Sequence, residues 1–525
     1  MELEAAFAIS MFLVTIIALL GGYPVALTLG GVALLFGLIG IATGMFPEPV
    51  LRSLPSRIQG ASIMQNQTLI AVPLFVLMGV ILERSRVAED LLHIASRLLG
   101  RVRGGLGYAV VIVGALLAAS TGIVGATVIT MTLIALPTML RQGYDPRLAT
   151  GTIAASGTLG QIIPPSIVLI LLADAVSNAA SQASLRTGGG SAVVSVGDLF
   201  AGALIPGLLL VLLYLFYIFV VGLVWPQRCP QASESGAAEV PLTLREIVFG
   251  LGAPILLIIA VLGAILGGVA PPTEAAAIGA GGAILLAGLR LASSVQSRLA
   301  PLVGAGFVAL LLIIVLRSNL DLRAASDESS LFGIVLVALA ALVFAASLVC
   351  GLLVLRKAGE LYPSFKSGVH ITSMVFLILI GASLFSLVFR GFGGDELVAQ
   401  ILSAVPGGKW GALIMTLLVM FVLGFFLDFI EIVFVVVPLV APPLILLGFD
   451  PVWLAILMAL NLQTSFLTPP FGFALFYLRG VAPDDVQTLD IWRGAIPFIA
   501  LQVLLIAIVI AVPSLATWLP SLSAS

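Results

Sequence analysis

Nine apolar runs decide what this chain can become. They lie near residues 5–44 (interrupted at Gly21 to Pro24), 68–82, 197–225, 243–269, 272–289, 300–317, 330–355, 367–389 and 491–517. A helix of roughly 20 apolar residues crosses the hydrocarbon core of a bilayer. Shorter or broken runs lie at 105–140, 147–178, 410–445 and 451–478. Of 525 residues, 61% are hydrophobic and 9% charged, and mean hydropathy is +1.24. A soluble domain carries about a quarter charged residues, so a bilayer must be the solvent. The chain is expected to be an all-α polytopic membrane protein, one integrated membrane domain with no soluble one. A net charge of −2 says nothing about nucleic acid, and no nucleic-acid partner is expected. Cys229 and Cys350 offer neither metal-ligand spacing nor a disulfide framework and read as small apolar fillers. The opening "MELEAAFAISMFLVTIIALL" carries Glu2 and Glu4 but no basic residue, which suits a retained first helix better than a signal peptide.

The chain repeats itself. "GYDP" at 143–146 matches "GFDP" at 448–451, and a proline pair follows 19 residues after each Asp, from Asp145 to Pro164 and from Asp450 to Pro469. Pro137 and Pro442 keep the same offset of 305, and 77–92 resembles 379–398 with small gaps. The copies differ in charge. The first carries Arg84, Arg86, Arg97, Arg101 and Arg103, whereas the matching part of the second holds only Arg390 and Lys409, with Asp395 and Glu396 between. Lys and Arg favour cytoplasmic loops, so the copies should lie in opposite orientations with 84–103 inside. The loop 226–242 reads as a solvated linker, and "TGGGS" at 187–191 as a flexible one.

Each copy breaks a helix in mid-membrane. Asp145 is a good N-cap and Pro146 suits the first helical position. The 11 residues 146–156 rise about 16 Å, roughly half a bilayer, before Gly157 to Gln161 lead into Pro164–Pro165. In the second copy Asp450 and Pro451 begin the helix, and 461–468 leads into Pro469–Pro470. Unpaired backbone in hydrocarbon is tolerated only where it lines a cavity. The carbonyl end of a first half-helix attracts cations, and the amide end of the second, at Pro165–Ser166 or Pro470–Phe471, attracts anions. Paired breaks thus point to a central site for a small anion and coupling cations; the alternative is a pair of kinks that only shape packing. Before each break lies a hairpin-like pair of short arms. "STGIVGAT" (120–127) joins the first pair and "LDFIEIVFVVV" (427–437) the second. These read as re-entrant hairpins, or as ordinary short helices joined at Gly122 and Gly125. Asp428 and Glu431 share a helix face at a spacing of three. They are candidates to bind Na+, carry a proton or touch a partner, or they face water at that turn. Glu274 reads as a first-turn acid in a helix capped by Thr273. Asp174 and Asn178 should be wet, and His93 and His370 interfacial.

These segments carry a family resemblance. "STGIVGAT", "GTLGQIIPPS", "PPTEAAAIGA" and "NLQTSFLTPPFG" resemble, in order, the large membrane subunit of tripartite ATP-independent periplasmic (TRAP) transporters, the DctM-like family, over nearly the whole chain outside about 290–360. The resemblance implies an inverted-repeat, elevator-type transporter with two re-entrant hairpins and two broken helices in the bacterial inner membrane. It implies a Na+-driven importer of small organic acids, with 2-oxo acids and dicarboxylates among the candidates. It also implies a periplasmic substrate-binding protein (DctP-like) and a small four-helix membrane subunit (DctQ-like) as partners. No organic cofactor and no enzyme activity are implied; Na+ is the coupling ion and the only metal. One half of the sodium and substrate site would be Ser120, Thr121, Gly122, Gly157, Thr158, Gly160, Gln161, Ile163 and Pro164. The other would be Asp428, Glu431, Asn461, Gln463, Thr464, Leu467, Thr468 and Pro469, with Pro165, Ser166, Pro470 and Phe471 at the anion-facing helix starts. The implied division runs 1–102 (scaffold and first arm), 103–178 (first transport repeat), 179–290 (scaffold), 291–365 (two extra helices), 366–408 (scaffold and second arm), 409–482 (second transport repeat) and 483–525 (C-terminal helix). The amphipathic stretches 84–103 and 391–405 would be the arms joining moving part to scaffold. The chain departs from the pattern in the extra helices at 300–317 and 331–355. It reads "STG" where the family often has Ser-Gly-Ser, and "DFIE" where many members have Met-Glu-Pro.

Other functions fit the residues less well. A primary pump needs a phosphate loop, and the one Gly-Lys, Gly408–Lys409, is followed by Trp410. An ABC permease would not need the matched breaks. An intramembrane protease lacks H-E-x-x-H and a second catalytic Asp motif beside Tyr144–Asp145. A stand-alone Na+-coupled carboxylate symporter, needing no binding protein, shares the site chemistry and is the nearest rival.

Overall fold

The computed structural model describes residues 2–60, 63–85, 87–100, 102–122, 124–188, 194–231, 243, 247–295, 297–319 and 328–523. The described residues form an all-α fold. Nine of their helices are long and apolar enough to cross a membrane, or up to 12 if each bent pair counts as one span. The chain is therefore an all-α, multi-pass membrane protein.

Two copies of one plan follow each other. In the first, Ala71–Arg84 turns into the amphipathic arm Val87–Leu99, a hairpin of Gly105–Thr121 and Val124–Arg141, and a broken helix of Pro146–Thr158 and Ile167–Thr187. The long helix Val196–Val224 closes the copy. In the second, Leu361–Gly391 turns into the arm Gly394–Ala404, a hairpin of Gly408–Leu423 with Phe429–Val435 and Val437–Leu446, a broken helix of Pro451–Leu467 and Phe473–Val481, and the closing helix Thr488–Ala511. Glycines in the left-handed region start both hairpins, Gly104 at φ +79° and Gly407 at φ +97°, where a side chain would be strained.

The closing helices pack on the broken ones. Tyr214 of the first meets Phe498 of the second edge-on at 5.1 Å. A Cβ on Gly207 would lie 3.5 Å from Ile162 O, inside the first break. Helix Val196–Val224, expected within the scaffold segment 179–290, thus lies directly against the broken helix. The run 491–517, expected as one helix, is two: it stops at Ala511 before Pro513, and Ser514–Ser523 follows. Two short helices, Glu48–Arg52 and Leu54–Gln59, were not legible because each is a single turn with Pro near its start.

The flanking helices cross between copies. Val25–Ala42 packs on Leu361–Gly391, where a Cβ on Gly381 would meet Ala26 O at 2.4 Å. Pro272–Ser294 packs on Ala71–Arg84, where a Cβ on Gly279 would meet Met78 Sδ at 2.7 Å. Such small-residue seams let membrane helices approach to backbone contact, where lipid supplies no hydrophobic drive. The extra helices Ala300–Asn319 and Glu328–Lys357 form a hairpin on the outer side of Pro272–Ser294. Gly288 abuts Gly351, and the Ser347 hydroxyl donates to Leu302 O at 2.7 Å. Pro272–Ser294 itself begins at Pro272, so Thr273 lies inside its first turn rather than capping it; Glu274 sits in that turn as expected. Arg290 near its far end pairs with Asp90 of the first arm.

Candidate functional site

The first broken helix is built from small residues so that it can be buried on every side. From Leu148 to Thr158 all side chains are buried. A Cβ on Gly151 would sit 2.1 Å from Gly494 O, and one on Gly157 would sit 2.3 Å from Val128 of the hairpin. Asp145 caps its start, accepting from the Arg147 amide at 2.9 Å. The second broken helix uses the same start, with Asp450 accepting from the Trp453 amide at 2.8 Å.

Each hairpin tip reaches its break. Gly122 ends the first arm at φ +60°, and a Cβ there would lie 3.2 Å from Ile167 N, the first residue of the second half-helix. Gly160 lies against Ala118. Ser120 and Thr121 close that arm, and their side chains lie outside the described residues. At the second tip, Asp428 and Glu431 form a reciprocal capping box. Asp428 Oδ1 accepts from the Phe429 amide at 2.7 Å and Glu431 Oε2 accepts from the Asp428 amide at 3.1 Å. Glu431 is 6% exposed, so of the readings left open, that of a carboxylate facing water fails for Glu431. Asn461 turns away from the break to donate to Leu417 O of the hairpin at 2.8 Å.

The breaks share their local chemistry. In the first, Thr158 is followed by the 3-10 turn Leu159–Gln161, then half-buried Ile163 and buried Pro164 and Pro165. In the second, Leu467 is followed by Thr468 and Pro469. The Pro164–Pro165 and Pro469–Pro470 peptides are both cis. Hydroxyls of Thr158, Thr464 and Thr468 donate back to carbonyls of their own helix, Ala155, Leu460 and Thr464, at 2.7–2.8 Å. That spends the proton and leaves each hydroxyl oxygen as an acceptor, the donor type a hard cation prefers. The second half-helices start at Ile167 and Phe473, one or two residues beyond the expected Ser166 and Phe471. Neither Ser166 nor Gly472 caps them through a side chain. The Ser166 hydroxyl donates instead to Gln161 O at 3.1 Å. Both amide ends thus keep the partial positive charge of an uncapped helix start.

The two breaks touch. Gln463 Nε2 donates to Thr158 Oγ1 at 3.3 Å, and these residues stand 305 apart, the repeat offset itself. Two further buried polar residues meet here that sequence reasoning missed. Gln502 of the second closing helix donates to Thr158 Oγ1 at 3.5 Å and to the Tyr214 hydroxyl at 2.8 Å. For Gln502 the available signal was a lone polar residue within the apolar run after Arg493; Tyr214, with Tyr217 three residues on in its helix, gave none. Gln161 is fully buried with both amide atoms unpartnered among the described residues. Asp174, expected to be wet, is half-buried and accepts from Asn66 at 2.6 Å; His93 and His370 are exposed. Among the described residues no His, Cys, Asp and Glu gather as a metal site of three or more.

Known proteins agree with this architecture. The chain is 28% identical over 98% of its length to the C4-dicarboxylate TRAP transporter large permease protein DctM of Vibrio cholerae, covering 97% of that protein. It is 26% identical over 96% of its length to the ectoine TRAP transporter large permease protein TeaC of Halomonas elongata, covering 97% of it. The crystal structure of the Alcanivorax borkumensis YdaH transporter shares the fold at a TM-score of 0.51 and 16% identity, over 89% of this chain and 87% of that one. The model of the tripartite ATP-independent periplasmic transporter DctM component matches residues 12–341 and 303–515, and the chain belongs to that family.

Proposed function

We propose that this chain is the permease of a Na+-driven secondary importer of small organic acids in the bacterial inner membrane. A periplasmic substrate-binding protein of the DctP kind delivers the acid, and a small DctQ-like membrane subunit completes the scaffold. The observation that carries this reading is the meeting of the two breaks at Thr158 and Gln463. That contact joins the two first half-helices close to their carbonyl ends, which suits cations, and the uncapped amide starts at Ile167 and Phe473 suit a carboxylate. Hairpins and broken helices move as an elevator against the flanking helices, on the arms Val87–Leu99 and Gly394–Ala404. Relatives named for C4-dicarboxylate and for ectoine leave the identity of the acid to measurement.

Uptake of labelled acids into proteoliposomes tests the reading. The chain would be reconstituted with its neighbouring small subunit, with and without an inward Na+ gradient and the binding protein. Uptake requiring both supports it. Na+-driven uptake without a binding protein would make the chain a stand-alone symporter instead.

A further inference from the structure

Where the breaks meet, one threonine oxygen gathers two amides from distant parts of the chain. Thr158 gives its hydroxyl proton to Ala155 O at 2.8 Å, so its lone pairs are what Gln463 and Gln502 donate to, at 3.3 Å and 3.5 Å. This fixes both amides with nitrogen toward Thr158. Their carbonyl oxygens turn away and find no donor among the described residues. Gln502 is held in turn by the Tyr214 hydroxyl at 2.8 Å, and the Tyr214 ring is held edge-on by Phe498. Thr158, Gln463, Tyr214 and Gln502 are each at most 1% exposed. They come from both broken helices and both closing helices, so the cluster is a joint between the two copies.

We infer that Gln502, held by Tyr214, is a positioning residue for ion coupling. It fixes the Thr158 oxygen between the breaks, so that cation affinity at the first break depends on the placement of Gln463 in the second. The inference rests on the Na+-coupled reading above. A cation approaching the first break needs the same oxygen lone pairs that the two amides hold, so binding there must rearrange Gln463 and with it the second broken helix. Gln502 is the fixed member of the three, because Tyr214 ties its amide nitrogen independently of either break. Without it, Thr158 and Gln463 pair alone, and the two halves sense each other less.

The test uses Na+ itself as probe. The melting temperature of the purified full-length chain would be followed as NaCl replaces choline chloride at constant ionic strength. The unsubstituted chain should be stabilised by Na+ with a steeper than hyperbolic dependence. Gln502→Met, which keeps the volume, should free one Thr158 lone pair and so lower the half-effective Na+ concentration about tenfold, the equivalent of one buried hydrogen bond, and flatten the curve toward hyperbolic. Tyr214→Phe, which keeps the ring packing, should shift it about threefold in the same direction, since the contact with Thr158 survives, and it decides the matter if Gln502→Met does not fold. Variants that melt lower but keep the Na+ midpoint and steepness of the unsubstituted chain would reduce Gln502 to a packing residue and overturn the inference. An unsubstituted chain indifferent to Na+ would overturn the Na+-coupled reading, and the inference with it.

Discussion

The two broken helices perform one manoeuvre with different materials. The first is a thin rod of Gly, Ala, Ser and Thr that presses backbone to backbone on its neighbours, with Gly151 against Gly494 and Gly114 against Ser156. The second has Ile456 where the first has Gly151, and Phe466 where the first has Gln161, and it holds its place through side chains such as Phe466, which lies 5.2 Å from Phe473. Their tips differ likewise: a left-handed glycine turn in the first, a carboxylate capping box in the second. After the break the first continues for 21 residues and the second for 9. Repeat symmetry therefore fixes where the chain breaks, while each copy finds its own way of tolerating the break.

That contrast can be broken by substitution. The largest effect should come from Gly151→Leu, which drives a side chain into the Gly494 carbonyl. It should cost on the order of 3 kcal/mol, whereas Ile456→Leu at the matching place should cost under about 1.5 kcal/mol. Thermal unfolding in detergent separates them, and equal losses would end the claim that the copies pack by different means. At the tips, Gly122→Ala forces a left-handed residue and should cost about 1 kcal/mol. Asp428→Ala should cost a similar ~1 kcal/mol by losing the cap, while Glu431→Gln, still able to complete the box, should melt almost unchanged. If Glu431→Gln nonetheless loses uptake, its charge serves transport as well as capping.

A double-mutant cycle of Thr158→Val and Gln463→Leu sharpens the comparison where the copies touch. A coupling energy of about 1 kcal/mol is expected for one buried hydrogen bond, and additivity would show that the breaks are neighbours without being linked. The smallest effect concerns the matching turns before the breaks. The first is latched by the segment after Val196–Val224: Arg228 O accepts from the Asp145 amide at 3.1 Å, and Cys229 is buried beside Gly104. The second is covered by Trp410, Phe449 and Trp453, with the last two stacked at 5.4 Å. Burial pushes the Cys229 thiol from 9.0 up to about 11. The folded state therefore favours the neutral thiol. Its contribution is intact below pH 9 and is lost as pH rises toward 11. A melting profile over that window should slope less in Cys229→Ala.

Much of this plan is legible in the residues. Asp145–Pro146 and Asp450–Pro451 announce helix starts because a side-chain acceptor and a fixed φ act locally. The proline pairs announce breaks because a missing N–H acts locally too. The partners of Thr158 are of another kind. Gln502 reaches Thr158 across 344 residues and reaches Tyr214 across 288, and neither Gln502 nor Tyr214 has a polar mate at the repeat offset to raise suspicion. Thr273 looked like a cap by residue type, yet Pro272 is as good a first helical residue as Pro146, and the helix starts there. The exchange of Val25–Ala42 and Pro272–Ser294 between copies left no trace in composition, since a glycine seam reads like any other apolar stretch.

That exchange has a consequence for how such a molecule comes into being. Neither half owns a finished flank: the early helix waits for a partner more than three hundred residues downstream, and the late helix returns to cover one made long before. The nascent chain must therefore hold its first copy open in the bilayer until Leu361–Gly391 arrives. Severed between Gln231 and Thr243, the two fragments should find each other only when made together. The same geometry is that of two halves exchanging a flanking helix, the arrangement a swapped dimer has between separate chains.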